Sequence, residues 1–132
     1  KKILPNGSSF PLDFGFIPHT KGEDGDPLDA LVFMDCPAHP GCVVECRIIG
    51  VLMAEQKEKK QEAIRNDRFI AVANESSCYS DLKSMEDVNQ NLIDELVHFF
   101  EYYNQMEGKK FKLIKTADSK KAMKIIRENT KV

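Results

Sequence analysis

The chain has no tryptophan and no run near the ~18 consecutive apolar residues that a membrane-crossing helix needs. It carries no internal repeat and no low-complexity linker, which excludes solenoid and tethered-module architectures. Its four cysteines (Cys36, Cys42, Cys46, Cys78) form no CxxC pair and no zinc-like spacing with His19, His39 or His98. They read as reduced thiols of a cytoplasmic protein, Cys42 and Cys46 packing as small hydrophobes in an apolar stretch. Neither sign of charge dominates. Nineteen basic against 21 acidic side chains leave a net charge of −2, so bulk attraction to nucleic acid or an anionic membrane is not expected. The opening residues Lys1-Lys2-Ile3-Leu4-Pro5-Asn6-Gly7 lack the apolar core of a signal peptide. No initiator methionine precedes them, so a fragment or processed product is expected.

What is present suits one globular domain over residues 1–132. That length supports a single core, and 42% apolar with 30% charged residues is ordinary for one. Phe10-Pro11 and Phe14-Gly15-Phe16-Ile17-Pro18 begin the chain's ordered pattern, with Phe14 and Phe16 alternating about Gly15 as in a short strand. Residues 29–34 read as a buried strand. A turn follows from Pro37 to Gly41, and then a long β-rich stretch, 42–55, interrupted by Gly50 as in a bent or bulged strand. The polar segment Lys57 to Arg65 reads as a solvated hairpin tip, and Phe69 to Ala73 as the returning strand.

From about residue 90 the period changes. Leu92, Ile93, Leu96, Val97, Phe99, Phe100, Tyr103 and Met106 recur at spacings of three and four, which predicts an amphipathic helix stopped by Gly108. Phe111 to Ile114 predicts a short strand. Asp118 is placed to cap a last helix whose apolar face is Ala122, Ile125 and Ile126. Strands first and helices last gives an α+β class around a small barrel or strongly curved sheet.

The chemistry concentrates in Glu23-Asp24-Gly25-Asp26-Pro27-Leu28-Asp29. Carboxylates so closely spaced repel one another unless cations lie between them, so the loop is either a divalent-metal site or a solvated acidic turn. An EF-hand calcium loop does not fit. With Asp24 as its first position, Leu28 stands where an oxygen ligand is required and Asp29 where glycine is required. Asp29 favours the metal reading, because it opens an apolar strand where an unpaired carboxylate is costly. Hard oxygen ligands select Mg²⁺, Mn²⁺ or Ca²⁺, and Mg²⁺ commonly brings phosphate with it. Lys2, Arg68, Tyr103, Lys109 and Lys110 are the groups available to hold phosphate. Each has a plainer reading too: Tyr103 as core, and the two lysines as partners of a helix C-terminus.

Phe14-Gly15-Phe16-Ile17-Pro18-His19-Thr20 followed by the D-G-D-P-x-D run resembles the soluble family I inorganic pyrophosphatases. The likeness continues through Pro40-Gly41, Cys46-Arg47-Ile48-Ile49-Gly50-Val51-Leu52, Ile70-Ala71-Val72, His98-Phe99-Phe100-Glu101-Tyr102-Tyr103 and Gly108-Lys109-Lys110-Phe111. The resemblance implies a five-stranded OB-like barrel flanked by two C-terminal helices, forming a homo-oligomer. The implied activity is hydrolysis of pyrophosphate to two phosphates with Mg²⁺, Mn²⁺ being a substitute. On this basis Asp24, Asp26 and Asp29 are expected to bind metal, with Asp29 the base-like partner of the attacking water. Asp67 or Glu55 completes the metal shell, Asp67 and Tyr103 belong to the catalytic group, and Lys2, Arg68, Tyr103 and Lys110 hold phosphate.

Several positions depart from the family pattern. The family's first strands, with a lysine and two glutamates of the site, lie before position 1. Lys2 stands for an arginine, Phe14 for a tyrosine and Asn104 for a lysine. In the second acidic cluster the family's aspartate at the end of the long strand falls on Gln56 by ungapped alignment, with Glu55 the alternative. Asn66 takes a second aspartate's place with Asp67 adjacent and Arg68 in place of a lysine. Strand alternation puts Asn66 and Arg68 on one face and Asp67 on the other, an order that a bulge would reverse. These departures support a second reading, a pyrophosphatase-like domain that binds phosphate or a protein partner without turnover. A nucleic-acid module of OB type is a third, opposed by the acidic loop.

Overall fold

A computed structural model describes residues 12–36, 39 and 41–130. Lys2, Phe10-Pro11 and the prolines at 37 and 40 lie outside these residues. Nine elements follow in order: β1 (Leu12–Ile17), β2 (Leu28–Phe33), β3 (Cys46–Glu58), β4 (Ile64–Arg65), β5 (Arg68–Ala73), a 3₁₀ turn (Met85–Asp87), α1 (Gln90–Met106), β6 (Lys109–Asp118) and α2 (Ser119–Glu128).

The 13-residue β3 is the centre of the sheet. Along one edge it pairs antiparallel with β5 and then β4, and along the other with β6. Leu52 opposite Arg68 and Glu55 opposite Arg65 belong to one unbroken antiparallel frame. β4 and β5 are therefore a single returning strand, interrupted where the Ala54 N–H goes to the Asp67 side chain while the Asn66 N–H still donates to the Ala54 carbonyl. β5 pairs parallel with β2, and β2 antiparallel with β1. The α+β class with two C-terminal helices holds. The strand count and closure differ from expectation: among the described residues six strands form a mixed sheet that does not close. β1 and β6 lie at its opposite margins with no pairing between them, so these residues alone leave no barrel.

The bend expected at Gly50 is present as a register shift of β3 against β5 between Ile48 and Gly50, followed by a second against β6 between Met53 and Ala54. A Cβ at Gly50 would collide with the Met85 side chain and lie 2.7 Å from the Ala117 carbonyl oxygen. Glycine therefore lets the 3₁₀ turn and β6 close on the bend. The predicted short strand over 111–114 is much longer, because β6 follows β3 from Gly50 to Glu58. The predicted hairpin tip is correspondingly shorter. Lys57 and Glu58 extend β3, and Ile64 and Arg65 form β4.

Alternation along these strands divides the core into two. Leu31, Phe33, Leu52, Ile70 and Val72 pack under α1 with Ile93, Leu96, Phe99, Phe100 and Phe111. Leu28, Val51, Met53 and Phe69 pack under α2 with Ala122, Ile125 and Ile126. Each fully buried side chain of this size contributes about 1.5–3 kcal/mol. The α1 stripe matches its helical spacing except at its end, where Met106 is exposed and Asn104 is buried. Asn89 caps α1 through its side chain, and Gly108 ends it at φ +77°. Asp118 caps α2, accepting the Lys121 N–H at 3.0 Å. All four cysteines are free thiols, with Cys42 exposed and Cys46 half-buried, in contrast to the packed positions expected of them.

The segment leaving β5 is held by Asp35. Its carboxylate accepts the Ser76 hydroxyl at 2.7 Å, the Ser77 N–H at 2.9 Å and the Cys78 N–H at 3.1 Å. These bonds, the Ser76 hydroxyl first, hold the Asp35 carboxyl well below the ordinary aspartate value.

Two outcomes follow from this packing. Gly50→Ala lowers stability by about 1–3 kcal/mol in urea unfolding, because the carbonyl it meets belongs to a paired strand. Asp35→Ala destabilises at pH 7, and its deficit against the parent shrinks as pH falls below about 4. The sign follows from a folded-state carboxyl that is more acidic than the unfolded one: its stabilisation is present above the unfolded value and lost on acidification. Unfolding curves at pH 7 and pH 3 measure the difference.

Candidate active site

The acidic segment forms a closed turn between β1 and β2. The Gly22 N–H donates to the Asp26 carbonyl at 2.8 Å, and the Gly25 N–H to the Gly22 carbonyl at 3.0 Å. Asp24 folds its side chain back, with Oδ1 accepting the Asp26 N–H at 3.0 Å. Gly25 sits at φ +86°, a left-handed conformation that favours glycine. The turn is fixed to the sheet by Thr20, which is buried. Its hydroxyl donates to the Ile17 carbonyl at 2.6 Å and accepts the Leu28 N–H at 3.0 Å. On the other side the Glu23 carboxylate accepts the Arg65 N–H at 3.1 Å.

Asp29 lies at the start of β2, directly opposite Arg68 across the parallel ladder. Arg68 Nη1 meets Asp29 Oδ2 at 3.0 Å, and the Arg68 side chain is only 3% exposed against 39% for Asp29. The same nitrogen donates to the Asn66 backbone carbonyl at 3.1 Å and to the Asn66 side-chain oxygen. Its guanidinium lies over the Phe100 ring, 4.7 Å from the centroid, with Phe111 at 5.9 Å. Burial pushes the Arg68 pKa below its ordinary value, and the negative charges of Asp29, Asp24 and Asp67 oppose that shift. Arginine remains charged through such a shift. Its Nε is buried without a hydrogen-bond partner.

Alternation through 65–68 is intact, and no bulge reverses it. Asn66 and Arg68 share the α1 face with Asp29, while Arg65 and Asp67 take the α2 face. Asp67 is buried and fully engaged there. Arg65 Nη2 meets Asp67 Oδ2 at 2.8 Å, Arg65 Nε meets Oδ1 at 3.1 Å, and the Ala54 N–H donates to Oδ1 at 3.1 Å. Glu23, Asp24, Arg65, Asn66, Asp67 and Lys121 line a small polar cleft on this side, of about 200 Å³. Glu55 stands opposite Arg65 on one neighbouring strand and Lys112 on the other.

The remaining phosphate candidates are divided between the faces. Tyr103 packs against the α1 core, 6.1 Å from the Phe99 ring. Phe14, where the family pattern has tyrosine, stacks on Phe99 at 5.9 Å. Lys110 is exposed, opposite Lys57 in the β3–β6 ladder, and alternation sets it on the side of β6 away from the buried Phe111. Asn104 turns inward and donates to the Phe100 carbonyl at 2.7 Å. The structure thus brings Asp29, Asn66 and Arg68 together. It places Asp24 and Asp67 on one cleft, and leaves Asp26 exposed on the turn. Among the described residues no three His, Cys, Asp or Glu side chains gather in a metal-holding group.

Sequence reasoning missed Thr20, Glu23 and Arg65. Arg65 carried a usable signal, since positions 65 and 67 share a face of any strand and one is cationic, the other anionic. Thr20 and Glu23 carried none, because their partners are set by tertiary structure.

A family model described as inorganic pyrophosphatase matches residues 1–132. The inorganic pyrophosphatase of Thermus thermophilus is 40% identical over 129 residues, covering 96% of this chain and 71% of that protein. Its crystal structure superposes with a TM-score of 0.80 at 37% identity, again covering 96% and 71% of the two chains. The inorganic pyrophosphatase structure from Coxiella burnetii gives a TM-score of 0.80 at 31% identity, covering 98% of this chain and 76% of that one. With the acidic turn, the Asp29–Arg68 pair and the sheet that carries them all inside the matched region, the chain belongs to the inorganic pyrophosphatase family.

Proposed function

We propose that this protein hydrolyses inorganic pyrophosphate to two orthophosphates with bound divalent metal, Mg²⁺ in the first place and Mn²⁺ as a substitute. The observation that carries the reading is the D-G-D-P-L-D turn of residues 24–29, anchored in a sheet of the pyrophosphatase family with its last carboxylate held by a buried arginine. The donor chemistry suits a hard cation, because the turn offers carboxylate oxygens on an exposed loop and at a strand opening. Asp24, Asp26 and Asp29 would hold the metal. When bound, Mg²⁺ would supply Lewis acidity, making a water nucleophilic near neutral pH and offsetting the charge of the phosphates.

The chain's own groups supply the rest. Asp29, part-exposed and aligned by Arg68, is the carboxylate we assign to take the proton of the attacking water. Arg68 carries a buried Nε with no acceptor, which suits an anion contact. Tyr103, Lys110 and Lys2 are the further groups assigned to phosphate oxygens. Asp67 or Glu55 is assigned to complete the metal shell, and Asp67 to the catalytic group, roles in which Asp67 exchanges Arg65 for a metal ion. The closed OB-like barrel belongs to the same proposal and needs an element joining the β1 and β6 margins. So do homo-oligomeric assembly and a cytoplasmic location. No helix of the described residues is long and apolar enough to cross a membrane.

The closed Arg65–Asp67 pair favours one second reading, a domain that binds phosphate or a protein partner without turnover. Phosphate release from pyrophosphate decides between them. The expected result is Mg²⁺-dependent release, abolished by chelation and lowered about 100-fold or more by Asp26→Asn. Tight pyrophosphate binding with no release at any Mg²⁺ concentration selects the second reading. Arg68→Ala is expected to remove turnover and about 3 kcal/mol of stability in urea unfolding. That is the lower end for a broken buried pair, since Asp29 is part-exposed.

A further inference from the structure

Glu23 opens the acidic segment, yet the metal and phosphate roles leave it unused. Its Oε1 accepts the Arg65 backbone N–H at 3.1 Å, a contact across 42 positions of chain. The location of that N–H gives the contact its meaning. The parallel ladder of β2 with β5 begins at Asp29 opposite Arg68. Just before it, β4 pairs with β3 on one edge, and on the other edge it has no strand among the described residues. The Asn66 N–H turns to β3, donating to the Ala54 carbonyl at 2.9 Å. The Arg65 N–H turns the other way, toward the acidic turn, where the Glu23 carboxylate takes the place of a ladder carbonyl.

We infer that Glu23 is a positioning residue: it docks the 22–26 turn onto β4 and so sets Asp24 and Asp26 relative to Asp29, Asn66 and Arg68. The turn is a closed unit through its own bonds at Gly22, Asp24 and Gly25. A closed unit moves as one body and needs two attachments to fix its orientation. Thr20, through Leu28, is the first, with the Lys21 N–H beside it donating to the Asn129 carbonyl at 2.9 Å. Glu23 is the second, and Arg65 carries the connection onward to Asp67 and Ala54 in the central strand. The role requires an acceptor oxygen at this position rather than a negative charge, which separates it from direct metal binding.

The inference rests on the reading of Asp24, Asp26 and Asp29 as metal ligands, and the test compares Glu23→Ala and Glu23→Gln with the parent chain. Three quantities are read: exchange of the Arg65 amide proton by NMR, Mn²⁺ affinity by calorimetry without pyrophosphate, and pyrophosphate turnover. Glu23→Ala is expected to expose the Arg65 amide and weaken Mn²⁺ binding about 10-fold, the effect usual for a group that orients metal ligands. Turnover at sub-saturating metal falls with it. Glu23→Gln keeps a side-chain carbonyl oxygen, so it holds the amide protected and Mn²⁺ affinity within about 3-fold of the parent. Parental Mn²⁺ affinity in Glu23→Ala overturns the inference, as does an Arg65 amide that exchanges fast in the parent. A Gln variant as weak as the Ala variant overturns it too, and makes the charge of Glu23 the operative property. A parent that binds Mn²⁺ without turning over pyrophosphate strikes the functional reading and leaves this one standing. A parent that binds no Mn²⁺ ends both.

Discussion

A single buried guanidinium organises the functional end of this sheet. Arg68 opens β5, lies over the Phe100 ring and joins Asp29 of β2 to Asn66 of the returning strand. A cation taken out of water must be paired, and the pairing here involves the two chain segments that carry the acidic chemistry. The strand that Arg68 opens, the helix that covers it and the turn that presents Asp29 are all tied to one side chain. Replacement of a lysine by arginine at this position is physically apt. A planar, weakly hydrated guanidinium stacks on an aromatic ring and spreads its donors over several acceptors, where an ammonium would demand compact solvation.

The opposite face repeats the device with different partners. Arg65 and Asp67 form a bidentate pair that also satisfies the Ala54 N–H where the ladder breaks between β4 and β5. Two arginines three residues apart therefore brace the two faces of one strand. The cost is that Asp67, adjacent to the aspartate position of the family pattern, is committed to a cation of the chain itself. Asn66, which stands at that position, is drawn into the Arg68 network. In this structure the second acidic cluster is held by the Arg65–Asp67 and Arg68–Asn66 contacts, so a metal role for Asp67 requires Arg65 to release it.

How much of this was legible beforehand depended on the range of the interactions. Periodicity identified α1 and the buried face of α2, because helical spacing is a local property. The bend at Gly50 and the cap at Asp118 were readable from single residues with strong conformational preferences. The length of β6 was not, since Lys109-Lys110 and Lys115 to Asp118 look like polar surface until β3 lies beside them. Cys42 was read as buried from apolar neighbours that turn out to be exposed themselves, Val43 at 90%. In the site, the D-G-D-P-L-D run announced itself, and alternation correctly split Asn66 and Arg68 from Asp67. The partners of those residues were invisible. Arg65 joins Glu23 across 42 positions, and Thr20 reaches Leu28 through a side-chain oxygen that leaves no periodic trace.

The unbroken frame that pairs β3 with β4 and β5 sets a rule for how this protein can change. The hairpin tip, residues 59–63, lies beyond the last paired residues, and added or lost residues there cost little because loop entropy grows slowly with length. Between Arg65 and Arg68 the opposite holds. One inserted residue would exchange the faces of everything on one side of it, sending one arginine into the other's surroundings and separating both from their acids. Variation in length should therefore accumulate at the tip and be excluded from the four residues that follow β4's first position, a contrast set by the two-residue period of a strand rather than by any single contact.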